Sequence, residues 1–219
     1  MPLPRVTEAE AVADLRADRS LVDLHYHTTW SDGLATPRQA LDRAHELGIR
    51  LAITDHNMIE GALEAWSLAG EDAPNLLVPG IEITTLERVH LLVYFRRPEA
   101  LQEFFLKSIA PHRPRGATAT TPIPVRVEDL LQDLHGQECF TAAAHPFAIA
   151  KNGWMTVRSR FDYILDRIEE LDGVEVLNGQ ELDGTNDRAA AWARPRSMGM
   201  VAGSDGHTLG EMGRVVMAL

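Results

Sequence analysis

Residues 21–33 read LVDLHYHTTWSDG, and this stretch contains a pattern that recurs along the chain. A short apolar run ends in polar side chains that are able to bind a metal ion. His25 and His27 are separated by one residue, so in an extended strand they point to the same face and could bind one ion together. A His-x-His pair alone is a weak signal, so its weight depends on how often the pattern recurs.

Apolar runs of strand length follow one another along the whole chain. They are Leu21 to Leu24, Leu51 to Thr54, Leu77 to Ile83, His90 to Phe95, Cys139 to Ala144, Gly173 to Leu177 and Gly199 to Ala202. Segments with helical spacing separate them, at 36–47, 98–109, 127–134, 161–171 and 186–192. This alternation predicts an α/β domain of parallel strands joined by crossover helices, and about seven strands favour a closed or nearly closed barrel. In such barrels the reactive residues lie at the carboxyl ends of the strands.

The ligand-type residues fall where this rule places them, at the ends of the apolar runs. They are His25, His27, Asp32, His56, Glu82, His90, His145, Asp205 and His207. Without a cation, so many imidazoles and carboxylates at one end of a barrel would leave buried acids without partners. Mixed nitrogen and oxygen ligands suit zinc, manganese or iron, and the size of the set predicts two to three divalent ions with Glu82 as the bridge.

The same residues carry a family resemblance. The segments 23–33 (DLHYHTTWSDG), 53–57 (ITDHN), 80–82 (GIE), His90, 144–146 (AHP) and 203–207 (GSDGH) resemble the successive motifs of the PHP (polymerase and histidinol phosphatase) domain, from about Leu21 to His207.

The resemblance implies a distorted seven-stranded (β/α)7 barrel, similar to a TIM barrel, that holds up to three metal ions. By resemblance, His25, His27, Glu82 and Asp205 would hold one ion, Glu82, His90 and His145 a second, and Asp32, His56 and His207 the third. The chain also departs from nucleotide-cleaving relatives, since the segment between the fourth and fifth strands is short and Phe147 follows His145-Pro146.

These features predict a metal-dependent phosphoesterase whose substrate is a small phosphorylated metabolite, a nucleotide or an oligonucleotide end. The expected catalytic residues hold a metal-activated hydroxide or assist the leaving group, and they are His25, His27, Asp32, His56, Glu82 and His207. Two alternatives stay open: an amidohydrolase-like enzyme that cleaves a carbon–nitrogen bond, and a non-catalytic module stabilised by metal. Amidohydrolases usually carry a bridging lysine at a strand end, and none of the apolar runs ends in one.

The residues that position the substrate are less sharply indicated. Asn178 follows the sixth strand at the expected active face, and Lys151, Arg158 and Arg160 follow the fifth. Any of these cations could bind a phosphate, although solvated surface cations are the commoner case.

Composition sets the remaining expectations. The 219 residues carry a formal charge of -11, which argues against a protein that binds long duplex nucleic acid through a basic face. One cysteine rules out an intramolecular disulfide, and no apolar run has the length of a membrane span, so we expect a cytoplasmic protein without a membrane partner. We expect one domain over residues 1–219, with an irregular loop at about 111–127 over the active face. The oligomeric state is left open.

Overall fold

The computed structural model describes residues 21–149 and 152–218, and within them eight strands form one sheet. The strands are β1 (Leu21–Tyr26), β2 (Arg50–Ile53), β3 (Leu77–Thr84), β4 (His90–Phe95), β5 (Cys139–Ala143), β6 (Gly173–Asn178), β7 (Gly199–Gly203) and β8 (Met217–Ala218). Their order in the sheet is β7-β6-β5-β4-β3-β2-β1-β8. Each of the seven apolar runs of the sequence overlaps one of the first seven strands.

The expectation that all strands run parallel is wrong for β4. It pairs antiparallel with both β3 and β5, whereas β1–β2, β2–β3, β5–β6 and β6–β7 are parallel. The physical reason is the connection, because the turn from Thr85 to Val89 is too short for the crossover that parallel neighbours need. As a result, His90 at the beginning of β4 lies at the same edge as the ends of the parallel strands.

The expected count of seven strands is corrected to eight by β8. This strand pairs antiparallel with β1, with Met217 opposite Val22 and Ala218 opposite Leu21. Two residues are too few to produce an apolar run that a sequence pattern could reveal. On the same side, Tyr26 forms an isolated bridge with Gly206 after β7, and the His27 N–H donates to the Gly206 carbonyl at 3.0 Å. The sheet is therefore a nearly closed barrel.

Helices cover the outside of the sheet. They are α1 (Pro37–Leu47), α2 (Glu60–Ala69), α3 (Ala73–Leu76), α4 (Pro98–Phe104), α5 (Val127–Leu134), α6 (Trp154–Val157), α7 (Ile164–Glu169) and α8 (Asp183–Ala193). Short 3-10 turns span Gly70–Asp72, Ala110–His112 and Arg194–Arg196, and a π-helical turn at Phe105–Ile109 extends α4. None of the helices in the described part of the chain is long and apolar enough to cross a membrane.

The first helix shows why most of the predicted helices form. Thr36 accepts the N–H of Gln39 at 3.3 Å in a capping box, Pro37 occupies the first turn, and Gly48 ends the helix with φ 64°. The helices α2, α3 and α6 were not predicted. Two of them have only four residues, and α2 has no side-chain cap at Ile59.

The core is divided between the inside and the outside of the barrel. Leu92 and Tyr94 of β4 belong to a small interior cluster with residues of β1, β2, β5 and β7, while Leu91 and Val93 pack against the helices. Side chains alternate between the two faces of a strand, so His90, two residues before Leu92, points to the same face as Leu92 and Tyr94. That face is the interior of the barrel. The Tyr94 hydroxyl donates to the Leu24 carbonyl at 2.9 Å and ties β4 to β1 across the barrel.

The helical segment 98–109 provides a stability test with a matched control. Leu101 is fully buried in the outer core, whereas the side chain of Leu106 is 59% exposed. We expect Leu101→Ala to lower the free energy of unfolding by about 2–5 kcal/mol, because it leaves a cavity, and Leu106→Ala to change it by less than about 0.5 kcal/mol. Urea denaturation of both variants measures the difference, and equal losses would contradict the packing described.

Candidate metal centre

The structure brings all nine predicted ligand residues to one edge of the barrel. They come from the ends of β1, β2, β5 and β7, from within β3, from the beginning of β4 and from the loop after β1: His25, His27, Asp32, His56, Glu82, His90, His145, Asp205 and His207. The remaining three of the nine histidines lie elsewhere, at α1, the 3-10 turn at 110–112 and the end of α5: His45, His112 and His135.

Glu82 is the centre of the cluster. Its side chain is fully buried, and its two carboxylate oxygens are approached by nitrogen atoms of five histidines. The Oε1 atom lies 2.9 Å from His90 Nδ1 and 3.3 Å from His145 Nε2, and the Oε2 atom lies 3.0 Å from His56 Nδ1, 3.3 Å from His25 Nε2 and 3.4 Å from His27 Nε2. Its two oxygens therefore face different sets of histidines.

Two further carboxylates flank this centre. Asp205 Oδ1 lies 3.2 Å from His27 Nε2 and 3.6 Å from His25 Nε2. On the more exposed side, Asp32 Oδ1 lies 3.5 Å from His207 Nε2, and its Oδ2 lies 3.7 Å from His56 Nε2. His56 thus faces both Glu82 and Asp32, so the second and third ligand sets implied by the family resemblance adjoin each other at this residue.

The donor set fits divalent cations. Three groups offer one ligand atom per residue within 4.8 Å of one another: His25, His27 and Asp205; His27, Asp32 and His56; His56, Glu82 and His90. Among the described residues, the buried atoms His25 Nε2, His27 Nε2 and Glu82 Oε2 have no hydrogen-bond partner, although both nitrogen atoms lie within 3.4 Å of Glu82 Oε2. Buried polar atoms are rarely left without a partner, and a cation shared by these three would satisfy them.

The pKa values of the clustered side chains are shifted by burial and by the carboxylates and imidazoles that face one another. Burial lowers the pKa of His27 and of His90 to about 4, which keeps both imidazoles in the neutral form that a metal needs. Burial acts in the same direction on His25 and His56, but the nearby carboxylates outweigh it and raise the pKa of each. Burial would raise the pKa of Glu82, whereas the surrounding imidazoles hold it well below its usual range.

Sequence reasoning missed Glu175, which orients two of the ligands from behind. The His25 Nδ1–H donates to Glu175 Oε1 at 2.9 Å, so the Nε2 atom of this histidine faces the cluster. Glu175 Oε2 accepts the His145 N–H at 2.8 Å and the Asn178 amide at 2.9 Å. One signal was available in the sequence, since Glu175 is the sole carboxylate in the strand GVEVLN and stands between two valines.

Asp23 and Asp55 are two further buried carboxylates, and each of them fixes the position of a loop. Asp23 accepts the backbone N–H of Ser204 at 2.8 Å and of Gly213 at 3.0 Å, and thereby fixes the segment that carries Asp205 and His207. Asp55 accepts the Thr28 N–H at 2.7 Å, and the Thr28 and Ser31 hydroxyls at 2.7 and 2.6 Å. The loop that carries Asp32 is anchored in this way.

A cleft of about 330 Å³ opens above the cluster. Its walls include Thr84, Arg88, Thr120, Pro122 and Asn152 as well as seven of the nine candidate ligand residues. Residues 113–126 form neither helix nor strand, and Thr120 and Pro122 bring this segment to the cleft.

The residues that the sequence predicts to bind substrate differ in where they lie relative to the site. Asn178 is buried, with its amide 2.9 Å from Glu175 and 3.2 Å from Asp205, so its polar head is engaged within the site. Arg158 and Arg160 are exposed and do not line the cleft. Lys151 lies outside the described residues. Contacts of all four with a substrate stay predictions.

Glu175 gives a test of the metal centre that leaves the ligands unchanged. We expect Glu175→Gln to weaken divalent-metal binding by about 10- to 100-fold, because an amide cannot accept hydrogen bonds at both positions that the carboxylate serves. Competition with a chromogenic chelator measures the affinity, and Glu169→Gln on the exposed face of α7 is the control. Equal affinities in the two variants would contradict the role assigned to Glu175.

Comparison with known proteins shows what the chain is similar to. A family described as PHP-associated matches residues 183–219. A 5′-3′ exoribonuclease of Salmonella typhimurium is 47% identical over 74 residues, which are 32% of this chain and 25% of that protein. The chain therefore matches only about a quarter of the length of this curated relative.

Solved structures share the fold over most of the chain. A putative metal-dependent phosphoesterase of Bifidobacterium adolescentis superposes with a TM-score of 0.65 at 22% identity, over 90% of this chain and 92% of that one. A two-domain protein of Bacteroides vulgatus with a predicted PHP-like metal-dependent phosphoesterase superposes with a TM-score of 0.59 at 20% identity, over 87% of this chain and 53% of that one. The match at residues 183–219 and the shared fold are similarities to PHP-type proteins, and they agree with the resemblance that the ordered motifs show.

Proposed function

We propose that this protein is a metal-dependent phosphoesterase that hydrolyses a small phosphorylated metabolite, a nucleotide or the end of an oligonucleotide. The observation that carries the proposal is the convergence of nine ligand residues on the floor of an open cleft, with unpartnered nitrogen and oxygen atoms around Glu82. Buried structural ion pairs do not need so many imidazoles, and they do not need a cleft above them.

The proposed cofactors are two to three divalent ions of zinc, manganese or iron. His25, His27 and Asp205 would hold one, His90 and His145 a second, and Asp32, His56 and His207 a third, with Glu82 shared between the first two. When bound, such ions lower the pKa of water and neutralise charge on phosphoryl oxygens.

His207 and Asp32, on the solvent side of the cluster, are placed to assist the leaving-group oxygen of the substrate. His207 donates its Nδ1 proton to the Asp205 carbonyl at 2.8 Å, which leaves Nε2 directed at Asp32. Burial opposes protonation of His207, but Asp32 and Asp205 outweigh it and raise its pKa, whereas Asp32 is kept ionised by the adjacent imidazoles. We infer that this pair either completes the third ion site or gives the leaving oxygen a proton from Nε2.

The comparisons support a phosphate ester as the substrate. The matched Salmonella protein is named an exoribonuclease, and the Bifidobacterium structure is named a phosphoesterase. None of the described strands ends in the lysine that the amidohydrolase alternative usually requires. The formal charge of -11 favours a small substrate or a chain end over a long duplex.

Removal of one ligand tests the proposal. We expect His25→Ala to reduce phosphate release by at least about a thousandfold while circular dichroism shows the fold retained, because His25 lies between Glu82, Asp205 and Glu175. The assay uses Mn²⁺- or Zn²⁺-loaded protein with sugar phosphates, mononucleotides, 3′,5′-bisphosphates and short oligonucleotides.

His45→Ala is the matched control, because His45 is exposed on α1 and lies outside the cluster. Rates of the His25 variant within about tenfold of the unmodified protein would refute the assignment. If metal-loaded protein turns over none of these substrates, carbon–nitrogen hydrolysis or a binding role becomes the better explanation.

The pKa shifts predict how metal affinity depends on pH. Because the pKa values of His25 and His56 are raised, these imidazoles keep their protons to a higher pH than an ordinary histidine does, and the protons must leave when metal binds. Lowering the pH therefore weakens binding, by roughly tenfold per pH unit for each proton displaced. Titration calorimetry in buffers of different ionisation enthalpy counts the protons released, and an affinity independent of pH between 6 and about 8 would contradict the prediction.

A further inference from the structure

We propose that Arg88 binds the phosphate group of the substrate, an inference that rests on the phosphoesterase function proposed above. Arg88 lies in the turn between β3 and β4, six residues after Glu82 and two before His90. It lines the cleft beside Thr84 and His90. Of the lysines and arginines in residues 21–149 and 152–218, it is the only one that does so.

The guanidinium of Arg88 has no carboxylate partner. None of the ion pairs formed by lysine or arginine within the described ranges includes it. Its neighbour Glu87 points away into the protein, where it is fully buried and accepts hydrogen bonds from the Val127 N–H and the Tyr163 hydroxyl. Arg88 therefore presents an uncompensated positive charge to the cleft.

The backbone at Arg88 is in a conformation that side chains rarely adopt. Its φ is 67°, in the left-handed region where glycine or asparagine is usual. The turn imposes this angle, because the Arg88 N–H donates to the Thr85 carbonyl at 2.9 Å and the Thr85 N–H donates to the Val89 carbonyl at 3.0 Å. An arginine at a position that favours glycine indicates that its side chain is needed for something other than the turn.

The unpaired guanidinium of Arg88 indicates which class of ligand the cleft would bind. A guanidinium can donate two parallel hydrogen bonds to a phosphate, so an unpaired arginine beside a metal centre matches an oxyanion. The hydroxyls of Thr84 and Thr120 and the amide of Asn152 are neutral groups on the same walls. Arg88 thus supplies the fixed cation for the phosphate oxygens, and the ligand residues of the metal centre remain available for the ions.

Arg88→Ala tests this assignment. We expect the KM for a phosphate ester to rise about 10- to 100-fold while kcat changes by less than about threefold, and the affinity for inorganic phosphate to fall by the same factor. Titration calorimetry of metal-loaded protein with inorganic phosphate measures the affinity without turnover. Arg96→Ala removes the same charge at the far end of β4, where Arg96 is exposed, and should alter neither quantity.

Arg88→Gly separates the side chain from the backbone. Glycine adopts the left-handed conformation without steric cost, so this variant should melt at or above the temperature of Arg88→Ala. Both variants should nevertheless bind inorganic phosphate equally weakly. If phosphate affinity instead followed backbone stability, with the glycine variant restored to the unmodified level, the assignment of Arg88 would be overturned.

The outcomes distinguish this inference from the proposed function. Ester hydrolysis with KM and phosphate affinity unchanged in Arg88→Ala would overturn the role of Arg88 and leave the phosphoesterase assignment intact. Phosphate binding that depends on Arg88, in a protein that hydrolyses no ester, would support the site and refute the proposed reaction. A metal-loaded protein that binds no inorganic phosphate would overturn the assignment of Arg88.

Discussion

The structure of the site depends on one buried carboxylate, Glu82, which is surrounded by five imidazoles. Removing an ionised carboxylate from water is costly unless partners compensate it, and the partners here come from β1, β2, β4 and β5. Strands far apart in sequence must therefore meet at one edge of the barrel. The reversal of β4 is part of this requirement, because it brings His90 at its first residue to within 2.9 Å of Glu82.

Around this centre, three more buried carboxylates hold the ligands in place. Glu175 orients His25, Asp55 anchors the loop that carries Asp32, and Asp23 anchors the segment after β7. Their partners include backbone N–H groups, which fix loop positions as well as charges. Buried polar groups that are fully satisfied make a site rigid, and rigid ligands are what a metal centre needs.

Exposure divides the cluster into a closed and an open side. His25, His27 and Glu82 are fully buried, whereas the side chains of Asp32 and His207 are 32% and 29% exposed. The buried side has the low dielectric that strengthens electrostatic interactions, and the open side can exchange protons and substrate with solvent. Arg88 adds a positive charge to this open side from a turn that contributes no metal ligand.

The sequence by itself determined the candidate ligand set and the strand positions, because both are local: apolar runs of strand length ended in histidines and carboxylates. Only the tertiary structure showed the direction of β4, the two-residue strand β8, the contacts of Glu175 and the position of Arg88 in the cleft. Glu175 meets His25 across 150 positions of the chain, a pairing that no local pattern encodes. Arg88 is one exposed arginine among many in the sequence, and its place in the cleft follows from the turn that reverses the chain between β3 and β4.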